Sequence, residues 1–387
     1  MEGKRIIEKI RLRNILSFGE RTITIDSQSP QEKLFRKFGH KNGEEIELEP
    51  LNIIIGQNAS GKSNLIDAIK LLRSLPQDKG LVNFISGSGG IGEWIWKGKN
   101  TGHLSEIEVC LAWLSQLTTY KIKFGEALQR LGISEETITE KGSVISRSEK
   151  TRAEDSMLSV SEPDYGGASY STVRAAFLNI AIYSDLQITR KSEIRNPKPS
   201  DTLNSFLEED GSNLALVLDN LNYRGKKAEI IANLRKFYPR INDYLTTTQG
   251  GTIQFYLREE ELNKPISAKR LSDGTLRYLC LLTILCHPEP PSLICIEEPE
   301  TGLHPDILPT IAKLLIDASK RAQLIVTTHS DILVSALSDT PEAVLVCEKD
   351  EDGTHFKRLE ADKLKSWLMD YSLGDLWLKG EIGGTRW

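Results

Sequence analysis

The stretch IIIGQNASGKSNLIDAI, residues 53–69, decides how the chain is read. Its three isoleucines close the apolar run LNIII (51–55), the uninterrupted kind that a strand buried on both faces requires. Small residues follow, and beyond Ser63 the residues Leu65, Ile66, Ile69 and Leu72 recur at helical spacing. The order is therefore strand, glycine loop, helix. Gly56-Gln57-Asn58-Ala59-Ser60-Gly61-Lys62-Ser63 fits G-x-x-x-x-G-K-[ST], in which glycines let backbone N–H groups converge on phosphate oxygens at the start of a helix. In such a loop Lys62 reaches the β and γ phosphates of a nucleotide and Ser63 ligates Mg²⁺, with Asn64 following in the helix. An ordinary glycine turn has no need of the buried strand and amphipathic helix that flank this one.

A hydrolytic site on a phosphate loop needs a second strand that ends in acid. SLICIEEPE supplies it: Leu293 to Ile296 form an apolar strand, and Glu297 and Glu298 stand at its carboxyl end, where ligands bind in open α/β sheets. Glu297 is expected in the Mg²⁺ shell and Glu298 beside the attacking water. QLIVTTHS (323–330) is another apolar strand, ending at His329, where a side chain can contact a γ-phosphate. Lys269-Arg270-Leu271-Ser272-Asp273-Gly274-Thr275 leads into a helix marked by Leu276, Leu279, Cys280 and Thr283, for which Ser272 or Asp273 suits the N-cap.

Outward from these motifs, residues 5–25 read as a hairpin, with Ile10 and Leu12 on one strand and Ile23 and Ile25 on the other, and EIELE (45–49) as a further strand. The chain stays β-rich to about 126, then turns polar over 128–170. FLNIAIYSDLQ (177–187) reads as a buried strand, and 212–221 and 226–238 as helices, the second with Ile230, Ile231, Leu234 and Phe237 on one side. Beyond Ser272 the pattern is helix 275–286, strand 292–298, helix 306–320, strand 323–330, helix 331–337, then strands near AVLVCE and HFKRLE. No heptad pattern is sustained, so no long coiled coil is expected.

Composition sets the outer limits. The 387 residues are 39% hydrophobic and 27% charged, with formal charge -5, so no global basic field points to nucleic acid. Cys110, Cys280, Cys286, Cys295 and Cys347 lie in apolar runs without a C-x-x-C pair, which favours free thiols in a reducing, cytoplasmic setting. The most apolar stretch, LRYLCLLTILC (276–286), is too short to span a bilayer, and no membrane contact is expected.

With these residues in view the chain resembles the ABC-type ATPases of the SMC/RecF/OLD group, small heads that also occur as AAA-family ATPases of prokaryotic defence operons. The resemblance rests on GQNASGKS, LSDGT as the signature, LICIEE, PETGLHP and TTHS, in that order between residues 5 and about 335. It implies an α/β fold: an ABC-ATPase head with a mixed P-loop sheet, an N-terminal antiparallel β part and an inserted helical lobe. The expected division is lobe I at 1–190, a helical insertion at 191–270, and lobe II with the tail at 271–387. It also implies ATP and Mg²⁺ as ligands and a homodimer that sandwiches two ATP molecules, Ser272, Asp273 and Gly274 of one copy facing the loop Gly56, Asn58, Ala59, Ser60, Gly61, Lys62 of the other. His329 corresponds to the switch histidine, Glu298 to the catalytic glutamate, and Gln187, after FLNIAIY, to the family's Q-loop, which meets nucleotide and metal. Two departures bear on the hydrolysis rate: Asp273 stands where transporter relatives carry glycine, and Glu297 where aspartate is more usual.

The expected function is ATP-dependent control of a separately encoded nuclease or toxin. A RecF-type repair head is the alternative; it would hold DNA non-specifically through Arg190, Lys191, Arg195 and Lys198, or Arg224, Lys226, Lys227, Arg235, Lys236 and Arg240. A transporter subunit fits poorly with the long separation of Ser63 from Ser272. GSGGIG (87–92) is not a dinucleotide fingerprint, because the strand-like EWIWKG follows where a helix should begin. Glu348, Asp350 and Asp352 are better explained by a hairpin turn than by a nuclease metal cluster. Trp377 and Trp387, in the glycine-bearing tail, are candidates to dock on a partner or pack against the head.

Overall fold

A computed structural model describes residues 3, 5–20, 43–98, 104–113, 116–127, 130–140, 143–147, 154–160, 167–184, 186 and 188–384. Its centre is a six-stranded sheet in the order Gly353–Arg358, Val344–Asp350, Leu51–Ile55, Gln323–Thr327, Leu293–Glu297, Ile180–Tyr183. All neighbours are parallel except the Gly353–Arg358 edge strand. Sequence-distant segments thus alternate in one sheet: the strand at 51–55 lies between two strands from beyond residue 320, and Ile180–Tyr183 pairs with Leu293–Glu297. The parts read as lobes I and II therefore share their central layer.

Strand alternation divides the interior into two cores. Ile53, Ile55, Ile294, Ile296, Leu324 and Val326 point to one face, which helices Leu214–Tyr223, Asp273–Leu285 and Leu308–Ser319 cover. Ile54, Leu293, Cys295 and Ile325 point to the other, covered by helices Lys62–Ser74 and Gly167–Leu178. With both faces dry, each such side chain contributes about 1.5–3 kcal/mol relative to exposure, which accounts for the unbroken apolar runs seen in the sequence.

A second, antiparallel sheet runs Glu44–Glu47, Ile7–Arg13, Leu104–Trp113, Gln116–Ala127, Arg130–Glu140, Ser143–Arg147. It corrects the hairpin expected at 5–25. The strand Ile7–Arg13 has Glu44–Glu47 on one edge and Leu104–Trp113 on the other, which leaves Ile10 and Leu12 no edge for a third strand; Ile23 and Ile25 lie outside the described residues. The polar stretch after 128 continues the meander, because strands with one solvated face need few apolar residues.

Three further readings shift. FLNIAIYSDLQ is split: Phe177 and Leu178 end the helix Gly167–Leu178, and the strand is only Ile180–Tyr183. EWIWKG is not a strand, for Ile91–Trp94 is a helical turn with Trp94 buried. The insertion at 191–270 is only partly helical. After the helices Leu214–Tyr223 and Lys227–Phe237 it forms the antiparallel strands Ile241–Gln249, Thr252–Glu259 and Ile266–Ser267, joined by Lys198–Pro199. No helix among the described residues exceeds 13 residues, the length of Lys62–Ser74 and Asp273–Leu285, and none is long and apolar enough to cross a membrane. The five cysteines are free, and four are buried.

Candidate nucleotide site

The phosphate loop joins the strand Leu51–Ile55 to the helix Lys62–Ser74. Gly61 takes φ 110°, and a Cβ there would lie 2.2 Å from Thr354 Oγ1 and 2.6 Å from Ser17 Oγ, so both conformation and space require glycine. Thr354 Oγ1 donates to Ser60 O at 2.6 Å, and Cys347 Sγ to the same carbonyl at 3.5 Å, fastening the loop to the edge hairpin. The helix has no side-chain cap and no acid in its first turn, so its N-terminal N–H groups are left for an anion. Lys62 is buried and donates to the carbonyls of Gly56 and Gln57 at 2.8 and 2.7 Å. Burial pushes its ammonium below the usual lysine value, opposed by electrostatic interaction with Cys347 and Glu298. Gln57, Asn58, Ala59 and Ser63 are exposed, whereas Ser60 Oγ is buried without a hydrogen-bond partner.

Two strands across, Glu297 ends Leu293–Glu297 with Lys70 of the phosphate-loop helix 3.7 Å from its Oε1. Glu298 turns out of the sheet at φ 47°, a left-handed conformation costly for a non-glycine residue, held by its N–H to Thr327 O at 3.0 Å. That turn exposes the carboxylate and brings Oε1 to 3.6 Å from His329 Nε2. A cleft of about 180 Å³ opens beside it, lined by Tyr183, Leu186, Arg277, Glu297, Glu298 and Thr301. The strands that carry Lys62, His329 and Glu298 are successive neighbours, so the three motifs converge at the carboxyl edge of one sheet. Gln187 lies outside the described residues.

Glu300 was not singled out in the sequence. Its Oε1 accepts from the His329 N–H at 2.7 Å and from Thr328 Oγ1 at 2.8 Å, while Oε2 is buried without a hydrogen-bond partner. Burial raises its pKa above the ordinary glutamate value. Nothing in a turn sequence such as EEPETG reveals that its third acid reaches a strand end 29 residues away; only the pairing of adjacent strands does.

The signature lies at the start of the helix Asp273–Leu285. Ser272 is its N-cap, accepting from Thr275 N at 3.1 Å, and both Ser272 and Asp273 are exposed. A Cβ on Gly274 would come 2.9 Å from Gly302 O, so the signature abuts the turn after Glu298. Arg277 reinforces that seam, donating to Thr301 O and Leu186 O at 2.7 and 2.5 Å.

Several other candidates have structural partners. Arg195, counted among surface cations, is buried and donates to main-chain carbonyls. Arg224, Lys226, Lys227 and Arg240 pair with Glu289, Glu229, Asp243 and Glu261, and Arg235 donates to the carbonyls of Ile241 and Asn242. Glu348 and Asp350 flank His355 at 3.5 and 3.7 Å across the hairpin whose turn joins Asp350 to Gly353. Trp377 is buried and donates to Gly384 O at 2.6 Å, packing the tail against the phosphate loop; Trp387 lies outside the described residues.

Ser63 and Glu297 offer hydroxyl and carboxylate oxygen, the hard donors that suit Mg²⁺, an ion commonly held by one or two carboxylates together with substrate phosphates. No group of three His, Cys, Asp or Glu fit to hold a metal by itself occurs among the described residues.

Comparison with known proteins agrees with the fold described above. A solved SMC head bound to the C-winged helix domain of ScpA superimposes with TM-score 0.59 at 15% identity, covering 93% of this chain and 99% of that one. A Pyrococcus furiosus SMC head with an extended coiled coil, bound to the C-terminal domain of ScpA, gives TM-score 0.56 at 13% identity, with coverage of 94% and 99%. At these identities the likeness speaks for the fold. The Old nuclease of Escherichia phage P2 is 24% identical over 198 residues, which span 46% of this chain but only 33% of that protein. The family described as "AAA domain, putative AbiEii toxin, Type IV TA system" matches residues 51–335, and the chain belongs to that family, an ABC-type ATPase of the SMC/OLD group.

Proposed function

We propose that this chain is an ATP-driven switch: two copies bind MgATP head to head, hydrolysis separates them, and the cycle regulates a separately encoded nuclease or toxin in prokaryotic anti-phage defence. The convergence of Lys62, Glu298 and His329 at one sheet edge carries the hydrolytic part of this reading. The family description and the match to a phage nuclease support the defensive part. Lys62 exchanges the carbonyls of Gly56 and Gln57 for β and γ phosphate oxygens, and the open helix N-terminus receives the remaining charge. Ser63 and Glu297 would hold Mg²⁺, which would supply positive charge to neutralise those oxygens. Glu298 accepts the proton of the attacking water, and His329, 3.6 Å from Glu298, contacts the γ-phosphate. Ser272 and Gly274 of one copy close over the nucleotide of the other.

Glu298→Gln keeps the size of the side chain and removes its basicity. ATP binding, followed with a fluorescent analogue, is expected to persist while phosphate release falls about 100-fold or more, the range for loss of a general base. Light scattering is expected to show ATP-dependent dimers accumulating. Undiminished phosphate release would overturn the assignment of Glu298.

A further inference from the structure

An acidic signature is an electrostatic puzzle if it must close over a triphosphate. Asp273 is 58% exposed, on the side of the signature helix that the proposed dimer presents to the other copy's nucleotide. A carboxylate there would repel the polyanion it has to meet. Below it lies the answer: the Arg195 guanidinium, only 4% exposed, forms an ion pair through Nη2 with Asp273 Oδ1. The same guanidinium donates through Nη1 to Ala268 O at 2.8 Å and Leu271 O at 2.7 Å, and through Nε to Thr189 O at 2.8 Å. Each of its nitrogens is engaged, and the planar fork fits this loop in a way a lysine could not. Arg195 stands 78 residues before its partner.

We infer that Arg195 is a positioning and charge-compensating residue that lets the acidic signature of one copy close on the triphosphate of another. The inference rests on the proposed nucleotide-sandwiched dimer. The pairing neutralises Asp273 from behind, so the exposed Ser272 hydroxyl and the helix N-terminus meet the phosphates without a net negative charge beside them. The purely structural alternative for Arg195 is holding the carbonyls of Ala268 and Leu271. The two roles separate on the charge of Asp273, because carbonyl contacts do not depend on it.

The experiment uses the full chain carrying Glu298→Gln, with ATP-dependent dimerisation followed by light scattering and cis binding by fluorescent ATP. Arg195→Met is expected to leave cis binding intact and weaken dimerisation at least about tenfold, the equivalent of one moderate charge contact. Adding Asp273→Asn to Arg195→Met is expected to restore dimerisation to within about threefold of the parent, a rescue that a purely structural role for Arg195 does not provide. Asp273→Asn alone, which leaves Arg195 in place, is expected to dimerise as tightly as the parent or more tightly. Failure of the double variant to recover while it still binds ATP in cis overturns the inference. So does weakened dimerisation in Asp273→Asn alone, which decides the matter even where Arg195→Met does not fold. A parent that never dimerises with ATP refutes the dimeric reading itself, and the inference with it.

Discussion

The two functional helices begin in opposite ways. The helix behind the phosphate loop, Lys62–Ser74, has glycine at its N-cap, no capping side chain and no acid in its first turn. The signature helix, Asp273–Leu285, is capped by its own Ser272 and carries Asp273 in its first turn, with Arg195 beneath. The first helix is left electrostatically unfinished, and an anion completes it. The second is complete before anything binds, so it can approach a ligand held by another surface without gaining much from that ligand alone. A nucleotide should therefore bind first at the phosphate loop.

That contrast can be broken most severely at Gly61. Gly61→Ala forces a Cβ against Thr354 and Ser17 at a backbone angle unsuited to alanine, and the loop that it displaces is the one proposed to hold the phosphates. ATP affinity, measured by calorimetry, is expected to fall about 100-fold, as for a misplacement of about 1 Å at a preorganised site. Ser272→Ala should act on the other helix and far more gently: loss of the cap is expected to cost about 1 kcal/mol in denaturant unfolding, with cis ATP affinity unchanged. A cis affinity that fell with Ser272→Ala would erase the distinction between the two helices. The smallest expected effect is a slope. Because the folded state raises the Glu300 pKa, its contribution to stability is present below the ordinary value of 4.5 and is lost as pH rises through the folded value. Glu300→Gln removes that titration, so melting temperatures of wild type and variant should diverge in the variant's favour as pH rises from about 4.5, with parallel curves refuting it. The amide oxygen can still accept from His329 and Thr328, which keeps the strand end in place.

The phosphate loop was legible because its parts are contiguous. Residues 51 to 74 contain the strand, the loop and the helix, and the physical requirements of each fall on neighbouring positions. Leu293–Glu297 and Gln323–Thr327 were legible for a related reason: burial on both faces favours apolar residues through the middle of each strand, so the first acid or histidine beyond them marks the site. The N-terminal sheet was harder to read. Ile7–Arg13 alternates as any edge or central strand would, and nothing in that alternation says that Leu104–Trp113 rather than residues 23–25 lies beside it. The strands of the insertion are hard to see in the sequence because its two helices carry strong periodicity, whereas Ile241–Gln249 and Thr252–Glu259 bury only some of their residues.

By itself the sequence determined the chemistry available: a loop shaped for phosphate, two carboxylates and a histidine at the ends of buried strands, and a serine-capped helix. These depend on hydrogen bonding and apolar periodicity over fewer than about twenty residues, the scale on which side chains dictate backbone. Tertiary structure decided which groups act together. It set His329 beside Glu298, gave Glu300 its hold on the strand end, and turned Arg195 from an apparent surface cation into the buried partner of Asp273. Those pairings arise because parallel strands must be joined by long crossovers, which bring residues far apart in the chain to one edge of the sheet, and no local preference encodes which ones will meet there.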